Sequence, residues 1–174
     1  MVSILEGELN LLKIFYSLGL RELQLTWAFE NQLANSNGLT DFGMDVVREM
    51  NRLGIMIDLT HIPQKAFDAV LSLTKHPVMI SHCAVGAVSA DLSDEQIKAV
   101  AQNGGVLGLH FYWTYMAKRF PDGRIADNIS VSDLVDHIDY IADLVGIDYV
   151  GLGADFFPTH GEWAEFQKAQ GTHT

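Results

Sequence analysis

Apolar and polar positions along the chain switch between a helical period and short continuous apolar runs. The switching predicts a repeated strand–helix order. Ile4-Leu5 reads as the end of a strand. From Leu9 to Leu18 apolar residues crowd one another as in a mostly buried helix, which Gly19 ends. Leu23 to Trp27 alternates as a strand, and Asn37-Gly38 marks a turn in the polar stretch 31–40. Asp41 is placed as the N-cap of a helix over 42–53, whose Met44, Val47, Met50 and Leu53 share a face and which Gly54 closes. Ile55–Leu59 is a strand, and Pro63 opens a helix running to about Lys75. Pro77–Ser81 is the next strand. Ser93-Asp94-Glu95-Gln96 has the capping-box spacing and opens a helix through Val100. Val106–Phe111 is a strand, 112–128 a long loop, and Ser130 starts a helix with Leu134, Val135, Ile138, Ile141 and Leu144 inward. Tyr149–Leu152 is the last strand, and the pattern fades after Pro158.

Near-continuous apolar strands separated by helices belong to a parallel sheet covered by helices, so the fold class is α/β. Periodicity alone leaves a barrel and an open doubly wound sheet both standing. Neither a Gly-x-Gly-x-x-Gly nor a Walker A sequence follows any strand, which argues against dinucleotide or P-loop chemistry. With 22 acidic against 11 basic residues the net charge is −11, opposite to the footprint of a nucleic-acid binder or of an anionic-membrane docker. The one cysteine, Cys83, excludes an internal disulfide. No apolar run reaches the ~18 residues of a membrane span.

In parallel α/β folds the chemistry sits at the C-terminal ends of the strands. Those positions hold Glu6, Thr26-Trp27, His61, His82, His110 and Asp155. Imidazole nitrogen is a borderline-soft donor suited to zinc, and carboxylates supply charge or act as bases toward water at the metal. A lone strand-end histidine is more often a hydrogen-bonded loop residue. His61 and His82 stand out because each follows a strand of similar type. His110 reads as barrel packing, His76 as surface, and His137 as hydrogen-bonded on a helix face beside Asp136 and Asp139. Cys83 reads as a small buried side chain.

The runs Gly38-Leu39-Thr40-Asp41-Phe42-Gly43, Leu53 through His61, Pro77 through His82, Asn103-Gly104-Gly105-Val106 and Val150 through Phe156 resemble the membrane (renal) dipeptidase family of zinc peptidases. Glu6-Gly7, Phe15 through Arg21 and Leu25-Thr26-Trp27 fit the same family. The resemblance spans residues 4–157 in order. It implies a (β/α)8 TIM-type barrel, here partial, with a two-zinc site that hydrolyses dipeptides. By position, Glu6 would bridge the two zincs, His61 and His82 would complete one of them, and Asp155 would be the acid/base residue. Trp27, where the renal enzyme has a histidine and bacterial relatives a tryptophan, would contact substrate.

The sequence also departs from the family. The His-x-Asp pair of the first barrel strand has no counterpart at the chain's opening, so one complete zinc position is expected rather than two. The final strand and closing helices have no counterpart either. Residues 84–92 contain no arginine to hold a substrate carboxylate. A TIM barrel runs to about 250 residues, so the expectation is an incomplete dipeptidase-like barrel over 1–157 followed by a polar tail, 158–174, with little order. Such a chain would be marginally stable, or would pair with itself or with a complementing fragment. The expected activity is zinc-dependent dipeptide hydrolysis, impaired by truncation, in the cytoplasm. The alternatives are a non-catalytic remnant or binding subunit, and another amidohydrolase-type metal-dependent hydrolase.

Overall fold

The computed structural model describes residues 4–27, 30–85, 92–111 and 130–155. The expected loop 112–128 and tail 158–174 lie outside them. Residues 4–7 form a turn rather than a strand end, with Leu5 buried. Helix α1 (Leu9–Ser17) leads to strand β1 (Glu22–Gln24). A small hairpin follows, β2 (Ala34–Asn35) and β3 (Gly38–Leu39), paired antiparallel around Ser36-Asn37. Then come α2 (Asp41–Leu53), β4 (Met56–Asp58), α3 (Gln64–Leu73), β5 (Met79–Cys83), α4 (Asp94–Gln102), β6 (Val106–Leu109), α5 (Val131–Val145) and β7 (Val150–Leu152).

The main sheet has the order β1-β4-β5-β6-β7, and every pairing in it is parallel. Order in the sheet follows order in the chain. A doubly wound sheet would reverse its order at a switch point, whereas winding in one direction with helices outside is how a (β/α) barrel is built. The sheet is therefore an arc of a barrel.

The helices bury one stripe each against this arc. Val46, Val47 and Met50 of α2, Phe67 and Val70 of α3, and Ile97 and Val100 of α4 meet Ile57, Leu59, Ile80 and Leu107 from the strands. The caps refine the sequence reading. Thr40, not Asp41, caps α2: its hydroxyl oxygen accepts from the Gly43 N–H at 2.9 Å, and Asp41 is the first helical residue. Gly54 ends α2 at φ +72°, a conformation only glycine adopts freely. The Ser93/Gln96 capping box forms as the spacing predicts. On α5 the inner face differs from expectation: Val135 is exposed and His137 is buried beside Ile141.

Candidate metal centre

His61 and His82 come from different βα units, yet the structure brings them into contact. Their Nε2 atoms are 3.0 Å apart and the rings meet edge-on, with centroids 4.9 Å apart. Two backbone irregularities produce this. After β4 the chain turns sharply, because the Asp58 carboxylate accepts the Thr60 N–H at 2.9 Å, and His61 then takes φ +62°. In β5 the pairing with β6 slips between Ile80 and Cys83: Ile80 faces Leu107, and Cys83 faces Leu109. Three steps on β5 match two on β6, which is a bulge at Ser81-His82 and re-aims the imidazole.

Asp155, just beyond β7, places its carboxylate 3.9 Å from His82 Nε2. Glycines make this approach possible. A Cβ on Gly153 would overlap the Ser81 carbonyl, and one on Gly108 would press on the same carbonyl from β6. A cavity of about 260 Å³ lies against the histidines, lined by Thr60, Cys83, Leu92 and Gln96 among others. That is just below the about 300–1,000 Å³ of small-ligand sites.

Backbone conformation singles out the same positions independently. Among the described residues, the non-glycine residues with positive φ are Glu6, His61 and Asp155, at +47°, +62° and +52°. Such conformations cost energy and cluster at functional sites. All three are residues that the sequence marks for chemistry.

The donor chemistry fits a zinc ion in part. Two nitrogens bound to one tetrahedral zinc at about 2.05 Å stand about 3.3 Å apart. The observed 3.0 Å is close to that, so a small opening of the pair would admit the ion. The fit stops at two ligands. Among the described residues no three His, Cys, Asp or Glu side chains are grouped to hold a metal. The structure thus brings His61 and His82 together and Asp155 beside them. It does not gather Glu6 into that group, and Glu6 lies exposed in the turn 4–7. Trp27 is 43% exposed just past β1. His110 is buried past β6, as packing predicts. His137 and Asp139 have a His-x-Asp spacing, but they lie mid-helix on α5 and not at a strand end.

Asp58 is the residue at these strand ends that sequence reasoning did not single out. It is 1% exposed, and its carboxylate accepts from the Thr60 hydroxyl and the Ser81 hydroxyl, each at 2.6 Å, and from the Ser81 N–H at 3.0 Å. The available signal was an acidic residue inside the apolar run Ile55–Leu59, followed two residues later by threonine.

Comparison with known proteins places the chain in a family and agrees with the fold. The family model described as membrane dipeptidase, Peptidase family M19, matches residues 2–170. Dipeptidase aclJ of Aspergillus oryzae is 33% identical over 161 residues, which cover 86% of this chain and 37% of that protein. The crystal structure of an amidohydrolase from Pseudomonas aeruginosa matches with a TM-score of 0.81 at 30% identity, covering 94% of this chain and 50% of that one. A metallopeptidase from Rhodobacter sphaeroides, liganded with a phosphinate mimic of the dipeptide L-Ala-D-Ala, matches at 0.74 and 28% identity, over 97% and 54%. The chain spans about half the length of these solved relatives.

Proposed function

The chain belongs to the membrane dipeptidase family, Peptidase family M19, and on that premise we propose that the protein hydrolyses dipeptides with zinc held at the ends of β4 and β5. Its sheet is part of the TIM-type barrel of that family. The family is one of metallopeptidases, so a metal cofactor goes with membership. The choice of zinc, the ligand set and the substrate are our reading.

The observation that carries it is the pair of imidazole Nε2 atoms 3.0 Å apart with a carboxylate 3.9 Å from one of them. His61 and His82 would hold the ion through Nε2, and Glu6 would bring a carboxylate to it. Zinc in such a site polarises a carbonyl and makes water a nucleophile at neutral pH. Asp155 would take a proton from water and return it to the leaving amine, a role that its 3.9 Å distance from His82 Nε2 supports. Trp27 offers an exposed ring to a substrate side chain, and the Rhodobacter relative's dipeptide mimic supports a dipeptide as that substrate. Among the described residues no helix is long and apolar enough to cross a membrane.

The test is the metal content of the purified chain beside the triple variant Glu6→Ala/His61→Ala/His82→Ala. About one zinc per wild-type chain is expected, and none in the variant. A folded wild-type chain that takes up no zinc refutes the site. The name of the Pseudomonas relative, an amidohydrolase, favours a second reading, hydrolysis of another amide. Turnover of non-peptide amides without turnover of dipeptides would select it.

A further inference from the structure

With Asp58 ionised, hydrogen-bond accounting around β4 and β5 has one solution, and it reaches the metal-binding atom. Asp58, as a carboxylate, only accepts. Its Oδ1 takes the Thr60 N–H, the Thr60 hydroxyl and the Ser81 N–H. Its Oδ2 takes the Ser81 hydroxyl at 2.6 Å. Thr60 and Ser81 have one hydroxyl proton each, so both are committed to Asp58. The 3.1 Å contact between the two hydroxyl oxygens is then a by-product of their shared acceptor.

Ser81 Oγ also lies 3.0 Å from His82 Nδ1. With its proton spent, Ser81 can only accept there, so Nδ1 must carry the hydrogen. A neutral imidazole protonated at Nδ1 has its lone pair on Nε2, the atom that faces His61. The bulge adds a second constraint. On the β4 side of the bulge the Ser81 N–H is satisfied by Asp58 Oδ1 at 3.0 Å and Thr60 Oγ1 at 2.9 Å. One buried carboxylate thereby makes the turn that presents His61 and pins the bulge that presents His82.

We propose that Asp58 is a positioning residue that, through Ser81, fixes His82 as its Nδ1–H tautomer and so reserves Nε2 for the metal. The tautomer assignment stands on the hydrogen bonds alone. Only its purpose, reserving Nε2 for zinc, rests on the function proposed above. Partners that orient ligating histidines in this way typically matter about 10–100-fold in metal affinity. Asp58→Asn would put an amide nitrogen, a donor, where Oδ2 now accepts. Ser81 would then turn its own proton toward Nδ1 and push the ring hydrogen to Nε2. Ser81→Ala removes the relay but keeps the Asp58–Thr60 turn.

The experiment is nitrogen-15 NMR of the histidine side chains in the metal-free 174-residue chain at about pH 8, where imidazole is neutral. It is paired with zinc affinity by chelator competition and with a thermal melt. His82 is expected as Nδ1–H in the wild type and as Nε2–H in Asp58→Asn, with the population of Nε2–H rising in Ser81→Ala. Zinc affinity should fall about 10–100-fold in both variants. If Asp58→Asn does not fold, the wild-type spectrum and Ser81→Ala still decide. A wild-type His82 protonated at Nε2 overturns the proposal, as does a Ser81→Ala chain with unchanged tautomer and unchanged zinc affinity. A wild-type Nδ1–H signal in a chain that takes up no zinc upholds the relay and refutes the metal reading instead.

Discussion

Replacing Gly153 with alanine tests whether the close approach of the strand ends is what assembles the site. A Cβ there would overlap the Ser81 carbonyl oxygen and stand 2.8 Å from its carbonyl carbon and 3.3 Å from His82 Cα. All of these are backbone atoms, so no flexible side chain can yield. Either β5 or the segment after β7 must move. Overpacking of this kind costs about 1–3 kcal/mol. The movement also strains the hydrogen bond from the Gly153 N–H to the Leu109 carbonyl, 2.9 Å, worth about 1 kcal/mol. The sum is about 2–4 kcal/mol. For a chain of this size each kcal/mol lowers Tm by about 2–4 °C, so a fall of about 4–16 °C is expected. Gly54→Ala is the control. Its φ is +72° but no atom lies within 4 Å of the added carbon, so it carries only the left-handed backbone cost of about 1–2 kcal/mol. Melts followed by circular dichroism measure both, and zinc titration follows the wild type and Gly153→Ala. Because Ser81 and His82 must shift, zinc affinity should fall with Gly153→Ala. A Gly153→Ala chain that melts within about 2 °C of wild type and binds zinc equally well refutes the reasoning.

Two further outcomes follow from the caps and the charges. Thr40→Ala should cost about 1 kcal/mol by leaving the Gly43 N–H without its hydroxyl acceptor, and Thr40→Ser should restore most of it, as read by urea unfolding. Glu22 has its pKa raised above 4.5 by burial, and then by the nearby Asp58 charge. A carboxyl raised in the folded state holds its proton longer there than in the unfolded chain, so its contribution to stability falls as pH rises from about 4.5 through the folded value. Glu22→Gln should therefore raise Tm relative to wild type at about pH 7 and lose that advantage at about pH 4; a constant difference across that range would contradict the shift.

Sequence legibility followed how local each signal is. The Ser93/Gln96 box and the Gly54 stop involve neighbouring residues, and both were readable. The cap of α2 fell one residue early, on Thr40, because threonine and aspartate are both good caps and only the chain's path from β3 separates them. Ser36-Asn37, rather than Asn37-Gly38, makes the hairpin turn, which Ala34–Leu39 pairing decides. The strand ends named Glu6, Trp27, His61, His82, His110 and Asp155, but neither which of them would gather nor that two imidazoles would touch. That contact depends on a register slip in β5 and on positive φ at His61, and no residue preference announces either. Asp58 was passed over for a related reason, although its place in an apolar run was visible. An acid in an apolar strand is costly unless its partners are known, and one of its two partners, Ser81, lies in the next βα unit. Burial of His137 likewise reflects how α5 meets α4 and the sheet, which its own exposed neighbours Asp136 and Asp139 obscure.

The strand order β1-β4-β5-β6-β7 bears on how the chain acquires its shape during synthesis. Each main-sheet strand finds its docking edge in the strand made just before it, so the loops to be closed stay short and their entropic cost grows only slowly with length. Among the described strands no early one has to wait for a distant late one. A ribosome delivering the chain from its N-terminus at about 5–20 residues per second would present each unit to an edge already formed. The imidazole of His82 would take its final aim only once β6 emerges, because the slip that turns it exists only in the pairing of β5 with β6.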